Sequence, residues 1–172
     1  MTTAESFNHN IDTWIKELER NNFLQISAKP SPASWSLGQV CMHLLSETGY
    51  FLEQVDICLS TNDNATEEMS PEGKTMFHNN EFPDEIIEGP PTNANTPQPG
   101  SKEELIDGFE KLKEGISKIE ARMRKGVHKG KTKHPGLNYF NAAEWFQFAE
   151  MHFRHHHRQR KRIDEFLKRN SR

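Results

Sequence analysis

Apolar residues recur along this chain at helical spacing in four stretches, and no segment alternates apolar and polar residues as a half-buried strand does. In the first, about residues 4–24, Phe7, Ile11, Trp14, Ile15 and Leu18 trace one face, and Lys29-Pro30-Ser31-Pro32 beyond it cannot continue a helix. A second helix, about residues 36–60, follows Ser34-Trp35-Ser36, where a serine can cap the new amino terminus. Its Leu37, Val40, Cys41, Leu44, Thr48, Phe51, Val55 and Leu59 make a wide apolar arc, with His43 and Glu47 at one edge. The third, about residues 101–125, opens with the capping-box spacing Ser101-Lys102-Glu103-Glu104 and repeats Leu105, Phe109, Leu112, Ile116, Ile119 and Met123 near heptad spacing. The fourth, about residues 141–169, starts at Asn141 with Glu144 as its N3 acid. Four long amphipathic helices predict an all-α fold, a four-helix bundle in a single domain spanning residues 1–172.

Residues 61–100, between helices two and three, break this rhythm. Pro71, Pro83, Pro90, Pro91, Pro97 and Pro99 punctuate the stretch, and its many acids face one lysine, Lys74. A connection this long is disordered or functional. Met76, Phe77, Phe82 and Ile86-Ile87 offer apolar anchors, so the expectation is an acidic loop laid over one end of the bundle. The Lys- and Gly-rich stretch from Gly126 to Tyr139 reads as a second ordered connection.

Composition narrows the function classes. The chain is 33% hydrophobic and 27% charged with a net charge of −3, so its overall field does not favour nucleic acid. The basic run from Arg158 to Arg172 reads as cations complementing a helix carboxyl terminus. No basic start followed by an apolar run marks secretion, and no stretch approaches the roughly 20 apolar residues of a membrane span. Cys41 and Cys58 lack metal-ligand spacing and read as packing residues of a reduced protein. These features predict a cytoplasmic protein with no nucleic-acid or membrane partner. A serine-hydrolase elbow, G-x-S-x-G, is absent.

The candidate chemistry lies in Met151-His152-Phe153-Arg154-His155-His156-His157-Arg158-Gln159. On a helical wheel of about 100° per residue, His152 and His156 fall within the stripe of Trp145, Phe148, Ala149, Ile163 and Phe166. Histidines at i and i+4 can share one metal ion. His157, about 140° away on that wheel, points to solvent. His43 on the second helix is available as a third ligand, and His155 could replace one of the pair. Three imidazoles around a divalent cation leave a coordination position open, as catalytic zinc sites do. Such a cation lowers the pKa of bound water or holds a thiolate or carbonyl. Gln159 and Glu47 share the same space on their wheels, as orienting groups or, for Glu47, a general base. Trp35 and Trp145 close the core or wall the pocket; His78 is a further ligand candidate.

The run Ser34-Trp35-Ser36-Leu37-Gly38-Gln39-Val40-Cys41-Met42-His43-Leu44 resembles the second-helix motif of the DinB/YfiT superfamily. His134-Pro135-Gly136-Leu137-Asn138, Glu144-Trp145, and the H-x-x-H-H-x-x-Q ending from His152 to Gln159 are similar to that family's entry into, and course through, its last helix. The resemblance implies an up-down-down-up four-helix bundle, often a homodimer, with a divalent metal, zinc or nickel, held by His43, His152 and His156. It also implies a metal-dependent hydrolase or a thiol-dependent S-transferase acting on a small molecule, with a low-molecular-weight thiol as cosubstrate. The long acidic insertion between helices two and three departs from the family pattern. The competing expectation is a non-catalytic metal- or ligand-binding protein whose ion is structural.

Overall fold

The computed structural model describes residues 1–83 and 95–170. Those residues are mostly helical. Four long helices, α1 (Thr3–Arg20), α3 (Leu37–Cys58), α5 (Lys102–Lys125) and α6 (Ala142–Asn170), stand where the apolar periodicity predicts them. Two short helices, α2 (Phe23–Ser27) and α4 (Pro71–Asn79), and a hairpin of β1 (Lys131–His134) and β2 (Asn138–Asn141) accompany them.

Local chemistry sets the boundaries. Thr2 and Glu5, Asn22 and Gln25, and Ser36 and Gln39 form reciprocal capping boxes at α1, α2 and α3. Asn141 and Glu144 do the same at α6, each accepting from the other's backbone N–H at 2.7 and 2.9 Å. Ser101 caps α5, but the Glu104 carboxylate turns to the Gly100 N–H instead, so only half of the expected box forms. The first helix ends at Arg20 rather than running to Leu24, because Asn22 caps a separate turn that buries Ile26.

Corrections to the expected connections follow the same logic. The segment read as a loop contains α4, begun by the Ser70 cap with Pro71 at its first position and ended by Asn80 in the left-handed region (φ 53°). Residues 61–70 lie against the hairpin: the Lys131 N–H donates to the Asp63 carbonyl at 2.9 Å, and the Ser70 N–H to that of Leu137 at 2.9 Å. The anchors Ile86 and Ile87, and the rest of the acidic stretch from 84 to 94, lie outside the described residues. The stretch read as a plain connection forms the hairpin, registered Lys131↔Asn141 to His134↔Asn138. Apart from Phe140 its inward face is poor in large apolar residues, and the Trp145 indole donates to Thr132 Oγ1 at 2.7 Å to hold it to α6.

One hydrophobic core runs between the long helices. Contacts between α1 and α6 advance in the same chain direction, from Phe7 against Phe146 to Glu17 against Arg160. Those between α3 and α6 run in opposite directions, from His43 against His156 to Phe51 against Phe148. On α5, Gly108 and Gly115 receive Leu45 and Leu52 of α3, while Lys113 pairs with Asp12 of α1. Among the described residues no helix is long and apolar enough to cross a membrane.

Candidate metal centre

His43 sits on the second turn of α3, which Ser36 starts and which Leu37, Val40, Cys41 and Leu44 bury against the core. His152 and His156 follow each other by one turn on α6. The three rings meet across the α3–α6 seam. Nε2 of His152 lies 3.2 Å from Nε2 of His43 and 3.1 Å from Nε2 of His156, and the three candidate ligand atoms lie within 4.8 Å of one another. His43 and His152 are buried and His156 is half-buried.

The nitrogens converge on one another rather than on oxygen acceptors, and their protonation shows what that arrangement requires. Burial pushes the His43 imidazole down to about 3 and that of His156 to about 4; His152 lies well below its ordinary value for the same reason, with its histidine neighbours adding to the effect. All three are therefore neutral at pH 7. Gln159 Oε1, an acceptor, lies 2.9 Å from His156 Nδ1, which places the ring proton on Nδ1 and leaves a lone pair on Nε2. Within the protein alone, a single His152 proton could satisfy the cluster only by being shared between its two neighbours. A cation uses all three lone pairs. Nitrogens about 2.0–2.1 Å from one ion are roughly 2.8–3.4 Å apart at octahedral to tetrahedral angles; the observed 3.1 and 3.2 Å fall in that range, and the third pair lies within 4.8 Å.

Aromatic rings wall the seam. Trp35 lies 5.0 Å from His43, Phe51 meets His152 edge-on at 5.5 Å, and Phe82 lies 6.0 Å from His152 and 5.3 Å from His155. Phe82 was expected only as an apolar anchor of the loop and not beside the histidines, since its place depends on α4 and the chain leaving it. His155 faces Phe82 and does not join the convergent nitrogens. Glu47, one turn beyond His43, is half-buried with its carboxyl raised by burial, and it too stands outside the convergent set. His78 is exposed on α4 and takes no part. Cys41 is fully buried with its thiol pushed up by burial, and the Cys58 thiol donates towards the Phe140 carbonyl at 3.5 Å; both are packing residues.

His157 corrects the expectation of a solvated side chain. Its Nε2 donates to Asn10 Oδ1 at 2.9 Å, and its ring stacks on Trp14 at 5.6 Å. Asn10 and Ser6 donate to the buried Glu150 carboxylate at 3.0 and 2.7 Å, and Arg154 Nε donates to both Glu150 oxygens. Arg160 pairs with the buried Glu17 at 3.1 Å. The wheel treated one stripe as the whole apolar surface of α6. Phe146 and Phe153, roughly 120° and 100° from His152 on that wheel, were the signal of a second buried side, against α1.

The model of the DinB superfamily matches residues 7–159, a span that includes His43, His152, His156 and Gln159. No curated protein and no solved structure matches the chain.

Proposed function

The chain belongs to the DinB superfamily, and from that premise we propose that His43, His152 and His156 hold one divalent cation, zinc or nickel, in a metal-dependent enzyme. The observation that carries this reading is the convergence of three imidazole Nε2 atoms, His152 lying 3.1 and 3.2 Å from the other two, with no oxygen partner seen at any of these Nε2 atoms among the described residues. In this reading α1, α3, α5 and α6 are the up-down-down-up bundle of the family, in one domain, and the cation lies between α3 and α6.

When bound, a divalent ion there supplies Lewis acidity, which polarises a carbonyl or lowers the pKa of water or a thiol. The chain's own residues do the rest. Gln159 holds the His156 ring with Nε2 inward, the orienting role that partners of metal-ligating histidines play. Trp35, Phe51 and Phe82 keep bulk water from the nitrogens. Glu47 has a carboxyl raised by burial and follows His43 by one helical turn, which suits it to accept a proton at the margin of the seam. The reaction we assign is hydrolysis of, or thiol-dependent S-transfer to, a small molecule, with a low-molecular-weight thiol as the cosubstrate in the second case.

The test is metal content of the purified protein and of His43→Ala and His152→Ala. About one equivalent in the parent and none in the variants is expected; full occupancy in both variants would refute the ligand set. If removing the ion unfolds the parent outright, the ion is structural and the enzyme reading falls.

A further inference from the structure

Next to His155 and Phe82, which adjoin the candidate metal centre, lies a depression of about 140 Å³ lined by Glu81, Phe82, Met151, Arg154, His155 and Arg158. Ligand pockets for whole small molecules begin near 300 Å³, so this volume suits one polar end of a ligand. The depression and the candidate metal centre share walls: the Phe82 ring touches both His152 and His155, and His155 lies 5.4 Å from His156.

The charged lining has one rigid member. Arg154 Nε donates to both oxygens of Glu150 at 2.8 and 2.9 Å, and Nη2 donates to the Asn80 carbonyl and Oδ1 at 2.7 and 3.2 Å. Glu150 is itself fixed by Ser6 and Asn10. The guanidinium is thus held on two sides, by Glu150 through Nε and by Asn80 through Nη2, and no bond from Nη1 to a described residue is seen. A guanidinium fixed this way presents donors to a carboxylate without losing further side-chain freedom. Glu81 places a carboxylate on the same rim. A lone anion meets that carboxylate unfavourably, whereas a head group carrying both charges satisfies both sides.

We propose that this depression binds the α-amino-acid end of a small substrate or thiol cosubstrate, its carboxylate on Arg154 and its ammonium on Glu81, with the remainder of the molecule directed past Phe82 towards His152 and His156. The assignment of an end to be bound rests on the proposed metal-dependent reaction at those histidines.

The subsite is tested in metal-free protein, so that its failure is separate from failure of the ligand set. Amide shifts would be followed by NMR during titration with S-methylcysteine, its methyl ester, which lacks the anion, and its N-acetyl derivative, which lacks the cation. The expected result is shifts at residues 81–82 and 154–158, with the dipolar probe at least about fivefold tighter than either blocked one. Glu81→Gln should abolish its advantage over the N-acetyl probe. Because removing the Arg154 charge strands Glu150, Arg154→Lys is the variant for that position, and loss of the Nη1 donor should weaken the dipolar probe while the fold persists by circular dichroism. Equal affinity for all three probes, or no shift at these residues up to about 50 mM, overturns the proposal.

Discussion

The two sides of α6 solve the burial of histidine in opposite ways. Against α1, His157 donates to Asn10, Asn10 donates to Glu150, and Glu150 is neutralised by Arg154. Each step pairs a donor with an acceptor. Against α3, one residue earlier in sequence, His156 meets His152 and His152 meets His43, nitrogen to nitrogen. An imidazole whose Nε2 finds an oxygen, as in His157, is a structural residue. A group of them that find only each other calls for a positive centre from outside, because an unsatisfied buried polar atom is costly. The difference teaches that what Nε2 meets, an oxygen or other imidazole nitrogens, and not burial or count, separates a packing histidine from a ligand.

The sharpest way to break this contrast is to remove one imidazole from each side. His152→Ala should lower divalent-metal affinity by more than about 100-fold, beyond the 10–100-fold of changes around the ligands, while His157→Gln should leave occupancy intact, as read by elemental analysis after dialysis. If His157→Gln also strips the ion, the two sides are not distinct. Next in size is Glu150→Ala, which leaves Asn10, Ser6 and Arg154 without their acceptor; a loss of about 2–3 kcal/mol in urea unfolding is expected with metal stoichiometry unchanged.

Gln159→Ala sharpens the comparison from the metal side. It frees the His156 ring to adopt the other tautomer and should raise the metal dissociation constant about 10- to 100-fold in a chelator competition. The smallest effect is on pH dependence. His157 is pushed down to about 4 by burial, with Arg160 nearby adding to it. Its folded value lies below its unfolded value near 6.5, so the unfolded chain takes up the proton first. Stability is fully present above that value and is lost as pH falls towards about 4, with a slope of at most about 1.4 kcal/mol per pH unit for one group. Urea midpoints for His157→Gln should show a shallower fall over that window; an unchanged slope would remove His157 from the account.

Much of the site was legible because it depends on helical phase. His152, His156 and Gln159 fall on one side of α6 by spacing alone, and the apolar arc of α3 carries His43 to the same seam. Less legible was anything fixed by partners distant in sequence. His157 looked solvated because its acceptor, Asn10, is on the first helix, and Phe82 reaches His152 only through the left-handed turn at Asn80 and the grip of Arg154 on it. The hairpin escaped because Lys131-Thr132-Lys133-His134 has no apolar alternation; pairing and one indole hydrogen bond hold it. By contrast Ser70-Pro71 before α4 was a readable start signal hidden in a proline-rich stretch.

His43 and His152 are 109 residues apart in sequence. Any ion they share acts as a cross-link closing a loop of that length, and in the chain-entropy view a covalent link of about 100 residues restricts the unfolded chain by roughly 4–5 kcal/mol. Chelation would therefore act on this molecule much as reduction acts on a disulfide protein, loosening the unfolded ensemble as well as emptying a site.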